Sequence, residues 1–199
     1  MLFRSSSDWD VFGSNNEIYT IDFWMQNRTT VTAQALVGQE EDNDNYWFFS
    51  SFIFGAGNGL VLQLEDENDI KLTIDSYAQT GTWILDELEH HIMLYVEGTG
   101  ATKVIGIYLD GDQVAYGTLA GNYTFDGSGL GASLVLGTCN GGQNNGYIDE
   151  FRVQHSNYFN ADPQADYSDT IELPTEAYSE VPGSSITNAT LYNATIYGQ

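Results

Sequence analysis

One cysteine, Cys139, stands in the 199 residues of this chain. No internal disulfide can form, so the fold has to stand on its core alone. Cys139 ends a strand-like run beside Asn140. With no second cysteine or nearby histidine to complete a metal set, it reads as a small buried filler. Basic side chains are almost as scarce. Arg4, Arg28, Lys71, Lys103 and Arg152 face 28 acidic residues, for a formal charge of −23. A field of that sign repels phosphate backbones and anionic lipid, which excludes nucleic acid and membrane surfaces as partners. Long apolar runs are missing too. Strings such as Trp47-Phe48-Phe49 are soon interrupted, so no membrane insertion is expected. The opening Met1-Leu2-Phe3-Arg4-Ser5 has no apolar h-region, so no cleavable signal is expected there. Helical periodicity is nowhere sustained, and only 3 prolines occur beside 21 glycines.

What is present is alternation. From Glu17 to Met25 the residues Tyr19, Ile21, Phe23 and Met25 are apolar while Thr20 and Asp22 are polar, the period of a half-buried strand. Leu60, Leu62 and Leu64 form one strand face. Ile70, Leu72 and Ile74 form the inner face of its partner across a five-residue loop, Glu65–Asp69. Ile92, Leu94 and Val96 alternate next. In Ile105–Tyr116 the dipeptide Asp110-Gly111 between two alternating runs predicts a two-residue hairpin with a type I′ turn, since both central residues need positive φ. Leu134–Gly137 and Tyr147–Val153 supply the last strands. The length and the 42% hydrophobic content suit one large all-β domain, an antiparallel sandwich or barrel. The acidic excess with little lysine fits a salt-rich, halophilic setting, or an acidic surface that merely stays soluble.

Several motifs in order carry a resemblance. They are the Ser6–Gly13 lead-in, Phe23-Trp24, Trp83 followed by Leu88–Ile92, Tyr108–Gly111, and the closing Gly146–Val153 with its exit through Tyr158-Phe159 and Leu173-Pro174-Thr175. Together they resemble the laminin-G-like, concanavalin A-like jelly-roll domains over residues 1–180. The resemblance implies an antiparallel β-sandwich. It also implies a non-enzymatic role as a virion structural or surface protein of a tailed virus, as capsid decoration or tail fibre, beside other virion proteins and in contact with host glycans. The location implied is the virion surface or extracellular space, reached with the released particle. A secreted or cell-surface carbohydrate-binding module of a salt-adapted microbe is the alternative, and a glycoside hydrolase the third reading. Family members carry a longer first strand. Here only Leu2-Phe3-Arg4 remains, so one sheet edge is expected to be short or completed by a partner chain.

Residues 181–199 change character. Asn-Ala-Thr, an aliphatic residue and Tyr recur in Ile186–Tyr197, and charge disappears. Such a tail adds a strand to a neighbour, starts an intertwined stem in a homo-oligomer such as a trimer, or frays. Asn-X-Thr sequons stand at Asn27, Asn122, Asn188 and Asn193.

Candidate chemistry is sparse, and no catalytic residue is assigned. Glycoside hydrolysis needs two carboxylates across a sugar cleft. Glu40/Asp42/Asp44 and Glu65/Glu67/Asp69 have suggestive spacing, but both sets read as solvated loops. No cofactor is required. Ca²⁺ is the candidate metal, with Glu40, Asp42 and Asp44 as oxygen ligands and a merely solvated acidic loop as the competing reading. His90 and His91, adjacent on a strand, point to opposite faces and read as packing residues, and His155 has no evident partner. Glu150 and Arg152 are expected to pair, with Asp149 on the face of Tyr147 and Phe151. For a sugar, the candidates are Tyr46 and Trp47 after the acidic loop and Asn140, Gln143 and Asn145 in a Gly/Asn-rich loop. Trp24 and Trp83 are expected in the core. Trp47 is the exposed candidate, with core packing as its competing role.

Overall fold

Alternating strands expose one apolar face each, and two sheets close on those faces. The computed structural model describes residues 11–13, 18–27, 33–42, 44–54, 57–67, 69–76, 87–99, 102–121, 123, 132–139, 142–143 and 146–175. The strands are β1 (Ile18–Asn27), β2 (Ala33–Asp42), β3 (Asn45–Phe54), β4 (Gly57–Asp66), β5 (Asp69–Asp75), β6 (Glu89–Thr99), β7 (Thr102–Leu109), β8 (Asp112–Ala120), β9 (Leu134–Leu136), β10 (Thr138–Cys139), β11 (Gly142–Gln143) and β12 (Gly146–Gln154). They form one five-stranded sheet in the order β12-β1-β6-β7-β8, a second in the order β5-β4-β3-β2-β9, and a small β10-β11 pair. All pairings are antiparallel. The expected sandwich is what the chain forms.

The main core lies between the sheets. Tyr19, Ile21, Phe23 and Met25 of β1 face Leu60, Leu62 and Leu64 of β4 and Trp47 and Phe49 of β3 within one buried cluster. Side chains of that size contribute about 1.5–3 kcal/mol each when fully buried. The hairpin prediction holds in detail. Asp110 and Gly111 have φ of 52° and 93°, and Leu109 pairs with Asp112 across the turn. At one corner the sheets approach so closely that a Cβ on Gly117 would lie 2.2 Å from Ile74 Cδ1. Lys103, 1% exposed, donates from Nζ to the Gly13 carbonyl at 2.6 Å and holds Val11 and Phe12 against the core. Burial pushes its amine below the usual lysine range.

A second core forms outside the first sheet. Residues 157–173 cross its outer face as a strap. Phe159, Ala161 and Ile171 bury against Met93, Tyr95 and Tyr108. Polar pins fix the strap. Thr20 Oγ1 donates to the Ser156 carbonyl at 2.8 Å, the Tyr108 hydroxyl donates to Asp169 at 2.5 Å, and Ile171 N donates to the Gly111 carbonyl at 2.8 Å. The Gln113 side-chain amide donates to the Gln164 carbonyl and accepts from the Gln164 N–H, both at 2.9 Å. Pro163 lies on Gly106, where a Cβ would come within 2.8 Å of its ring. Thr20 and Asp22, polar in the alternation, are therefore fully buried.

Three sequence expectations are corrected here. The β4–β5 connection is residues 67 and 68, not five residues. A register shift after Leu64 places Ile70 opposite Glu65, and Ile70 is 58% exposed while Leu72 and Ile74 stay inside. In β12 a shift between the partners of Asp22 and Trp24 coincides with φ of 53° at Glu150. This bulge changes the phase. Ile148 is in the core and Phe151 and Val153 pack on it, so Phe151 does not share the face of Tyr147 and Asp149. Apart from these three, Arg152 also meets Asp22 across the sheet, Nε to Oδ1 at 3.0 Å and Nη2 to Oδ2 at 3.1 Å. Trp83 and residues 181–199 lie outside the described residues.

Candidate functional site

The strap occupies the outer face of one sheet. The outer face of the other is where described side chains remain within reach of a ligand. Its composition follows from period two and the register. Across β2, β3, β4 and β5 one row reads Glu40, Tyr46, Glu65, Ile70. The next reads Gly38, Phe48, Gln63, Thr73, with Val135 of β9 beside Gly38. A third carries Ser50 and Val61 beside Asp75. At the centre the Phe48 ring, half-buried, stacks on Tyr46 with centroids 5.6 Å apart and planes at 22°. The Tyr46 hydroxyl donates to Glu65 Oε2 at 2.5 Å and accepts from Gln63 Nε2 at 3.2 Å. One aromatic plane is thus held flat by a second ring, which is itself tied by two polar side chains. Ser50, 4% exposed on the same face, has a hydroxyl that finds no hydrogen-bond partner.

This arrangement can hold an apolar ring face against Phe48 and offer an amide and carboxylates at its edge. Stacking on an aromatic plane with polar groups around it is the recognition chemistry of amphipathic rings.

The predicted site residues fare unequally. Tyr46 belongs to this face, although only 5% exposed, and supports the ring rather than presenting one. Trp47 points the other way and is fully buried. Its indole Nε1 donates to Gln39 Oε1 at 2.7 Å, Gln39 Nε2 donates to the Ala132 carbonyl at 3.1 Å, and Phe12 packs edge-on at 5.4 Å. Adjacent strand residues cannot share a face, so the Tyr46–Trp47 pair could never act together. Gln143 is on β11 with its side chain outside the description, and Asn140 and Asn145 lie outside the described residues.

Glu40 and Asp42 are strand residues of β2, not loop residues, and Glu65 and Asp69 likewise belong to β4 and β5. The Asp42 carboxylate is used by its own turn, accepting from Asp44 N at 2.8 Å and from Asn45 Nδ2 at 3.0 Å. Among the described residues no group of three or more His, Cys, Asp or Glu side chains is gathered to hold a metal. Residues that the sequence reasoning passed over are Phe48 and Gln63. The signal was there: in Tyr46-Trp47-Phe48-Phe49 a period of two separates a Tyr/Phe face from a Trp/Phe core face.

The histidines separate as expected. His90 Nδ1 meets Asp110 Oδ2 at 2.6 Å, and His91 Nε2 meets Asp22 Oδ2 at 3.3 Å on the opposite face. Arg152 lies 4.3 Å from the Tyr158 ring centroid and 5.3 Å from that of Phe159. His155 packs on Tyr19 at 4.7 Å. Burial, then the bond to Asp169, pushes the Tyr108 hydroxyl far above the usual tyrosine range. Burial and Glu97 do the same at Tyr95. No helix among the described residues is long and apolar enough to cross a membrane.

No curated protein sequence matches this one. Among solved structures, a sialidase carbohydrate-binding module of Ruminococcus gnavus bound to α2,6-sialyllactose is similar with TM-score 0.46 and 16% identity, over 66% of this chain and 70% of that one. A heptameric pentraxin from Limulus polyphemus is similar with TM-score 0.46 and 10% identity, over 77% and 66%. A Bacteroides ovatus xyloglucan-locus protein, GH43B, has TM-score 0.45 and 11% identity over 66% of this chain, which spans only 25% of its length. These likenesses are of fold alone. The sequence profile of one family, described as the concanavalin A-like lectin/glucanases superfamily, matches residues 5–162. With two antiparallel sheets closed on a common core and most of the chain inside that match, the protein belongs to the concanavalin A-like lectin/glucanases superfamily.

Proposed function

We propose that this chain is a non-enzymatic glycan-binding module whose site is the outer face of the β5-β4-β3-β2-β9 sheet. The observation that carries the reading is the half-buried Phe48 ring, stacked on Tyr46, with the Tyr46 hydroxyl held between Glu65 and Gln63. A pyranose presents an apolar face and a rim of hydroxyls, which fits an aromatic plane edged by an amide and carboxylates. The reading needs no calcium and no second carboxylate acting on a bond.

The setting belongs to the same proposal. The module sits on the exterior of a tailed-virus particle, as capsid decoration or tail fibre, and meets host glycans there. The closing-strand motif supports this, and so does an acidic surface that avoids the packaged nucleic acid. Residues 181–199 hold copies together, as a trimer. A module secreted by a salt-adapted microbe would bind through the same face.

The test is titration calorimetry against a panel of oligosaccharides with wild type and Phe48→Ala. The expected result is binding that weakens at least tenfold in the variant. Absence of binding to any oligosaccharide overturns the reading.

A further inference from the structure

Resting on that reading, we infer that the Phe48 face selects neutral or amino sugars and rejects anionic ones such as sialylated, uronic or sulfated glycans. Among the described residues, the charges bordering the ring are of one sign. Glu65 lies one strand away and is bonded to Tyr46, Glu40 lies opposite Tyr46 on the other flank, and Asp75 closes the adjacent row. Strand spacing near 4.8 Å puts the two glutamates about 10 Å apart, with the Tyr46 strand between them. A ring stacked on Phe48 therefore has a carboxylate within reach on either side.

The nearest described cation is Lys71 on the edge strand β5. It is held by Asp69 at 2.8 Å, and that bond raises its pKa. The other described cations serve elsewhere. Lys103 is fixed to Gly13 inside the sandwich, and Arg152 lies on the other sheet with Asp22. Beyond the site, the net charge of −23 adds a repulsive field of long range.

Glu40 and Glu65 flank the row next to Phe48, and two carboxylates about 7–8 Å from a third in water disfavour it roughly three- to sixfold at low salt. Screening removes most of that penalty at molar salt. A protonated amino sugar gains by the same geometry.

The experiment compares matched oligosaccharides, with and without sialic acid or sulfate, and glucosamine oligomers, at 50 mM and 1 M NaCl. Wild type, Glu65→Gln and Phe48→Leu are measured by calorimetry, with circular dichroism to confirm folding. The expected result is neutral and amino sugars bound, and each anionic counterpart at least threefold weaker at low salt. That gap should narrow at 1 M NaCl and in Glu65→Gln, while Phe48→Leu loses affinity for all. Equal or tighter binding of an anionic glycan overturns the selectivity and leaves glycan binding standing. No binding of any glycan overturns the function itself. Neutral binding that is indifferent to Phe48→Leu overturns both the site and the selectivity argued from it.

Discussion

Replacing Arg152 with Met should expose how much the strap depends on one buried charge. Asp22 is 0% exposed, and the guanidinium that meets both its oxygens is only 16% exposed. Methionine keeps much of the aliphatic stem but leaves the carboxylate beside His91 without its fork of donors. Removing one partner of a buried pair costs about 3–5 kcal/mol, because the other charge stays desolvated. Partial exposure of the arginine places the expectation near the lower end, about 3 kcal/mol. The lost stacking on Tyr158 and Phe159 adds about 0.5–1 kcal/mol. For a domain of this size each kcal/mol lowers Tm by about 2–4 °C, so a fall of roughly 7–16 °C is expected. Urea unfolding and calorimetry measure it. The double variant Asp22→Asn with Arg152→Met should recover at least about 1 kcal/mol, since no charge is left stranded. The loss should persist in 1 M NaCl, as buried pairs are poorly screened. An Arg152→Met protein within about 1 kcal/mol of wild type, or one restored by salt alone, would refute the reasoning.

Tyr108 holds its proton more tightly folded than unfolded, so its contribution is complete below pH 10 and fades as pH rises beyond it. Alkaline denaturation of Tyr108→Phe should therefore depend less steeply on pH above 10 than that of wild type, and an unchanged slope counts against the Asp169 bond. Gln39→Met strands the buried Trp47 indole N–H and should cost about 1–3 kcal/mol in urea unfolding. Gly117→Ala forces a Cβ onto Ile74 and should cost about 1–3 kcal/mol, with Ile74→Val recovering part of it because the methyl at 2.2 Å is then gone. Light scattering should give a trimer that is lost on deleting residues 181–199, and a monomer in both cases removes the tail as the assembly element.

The sequence was most readable where a structural need has a short signature. Asp110-Gly111 names its turn, because few other dipeptides accept positive φ twice. The inner face of β1 follows from Tyr19, Ile21, Phe23 and Met25, because a strand with one face in a core must alternate. Reading failed where one inserted residue shifts the phase. Glu150 adopts positive φ with no glycine to announce it, and the register slip at Ile70 is equally silent. It failed again at Thr20 and Asp22, since what covers them arrives some 130 residues later. For the candidate site, Tyr46 was legible as an aromatic beside acids. Its true neighbours Phe48, Gln63 and Glu65 emerge only from the register of β3 against β4.

The strap also has a consequence for synthesis. Met93, Tyr95 and Tyr108 leave the ribosome well before Phe159, Ala161 and Ile171, which cover them. At about 5–20 residues per second, the interval between Tyr108 and Ile171 is roughly 3–13 s. The β7–β8 hairpin closes within microseconds, so Gly111, whose carbonyl will receive Ile171, is in place long before its partner exists. During those seconds the nascent chain shows an uncovered apolar sheet face. A released chain truncated before residue 171 is expected to be trimmed by protease and bound by chaperones at that face, and one extending past residue 175 to escape both.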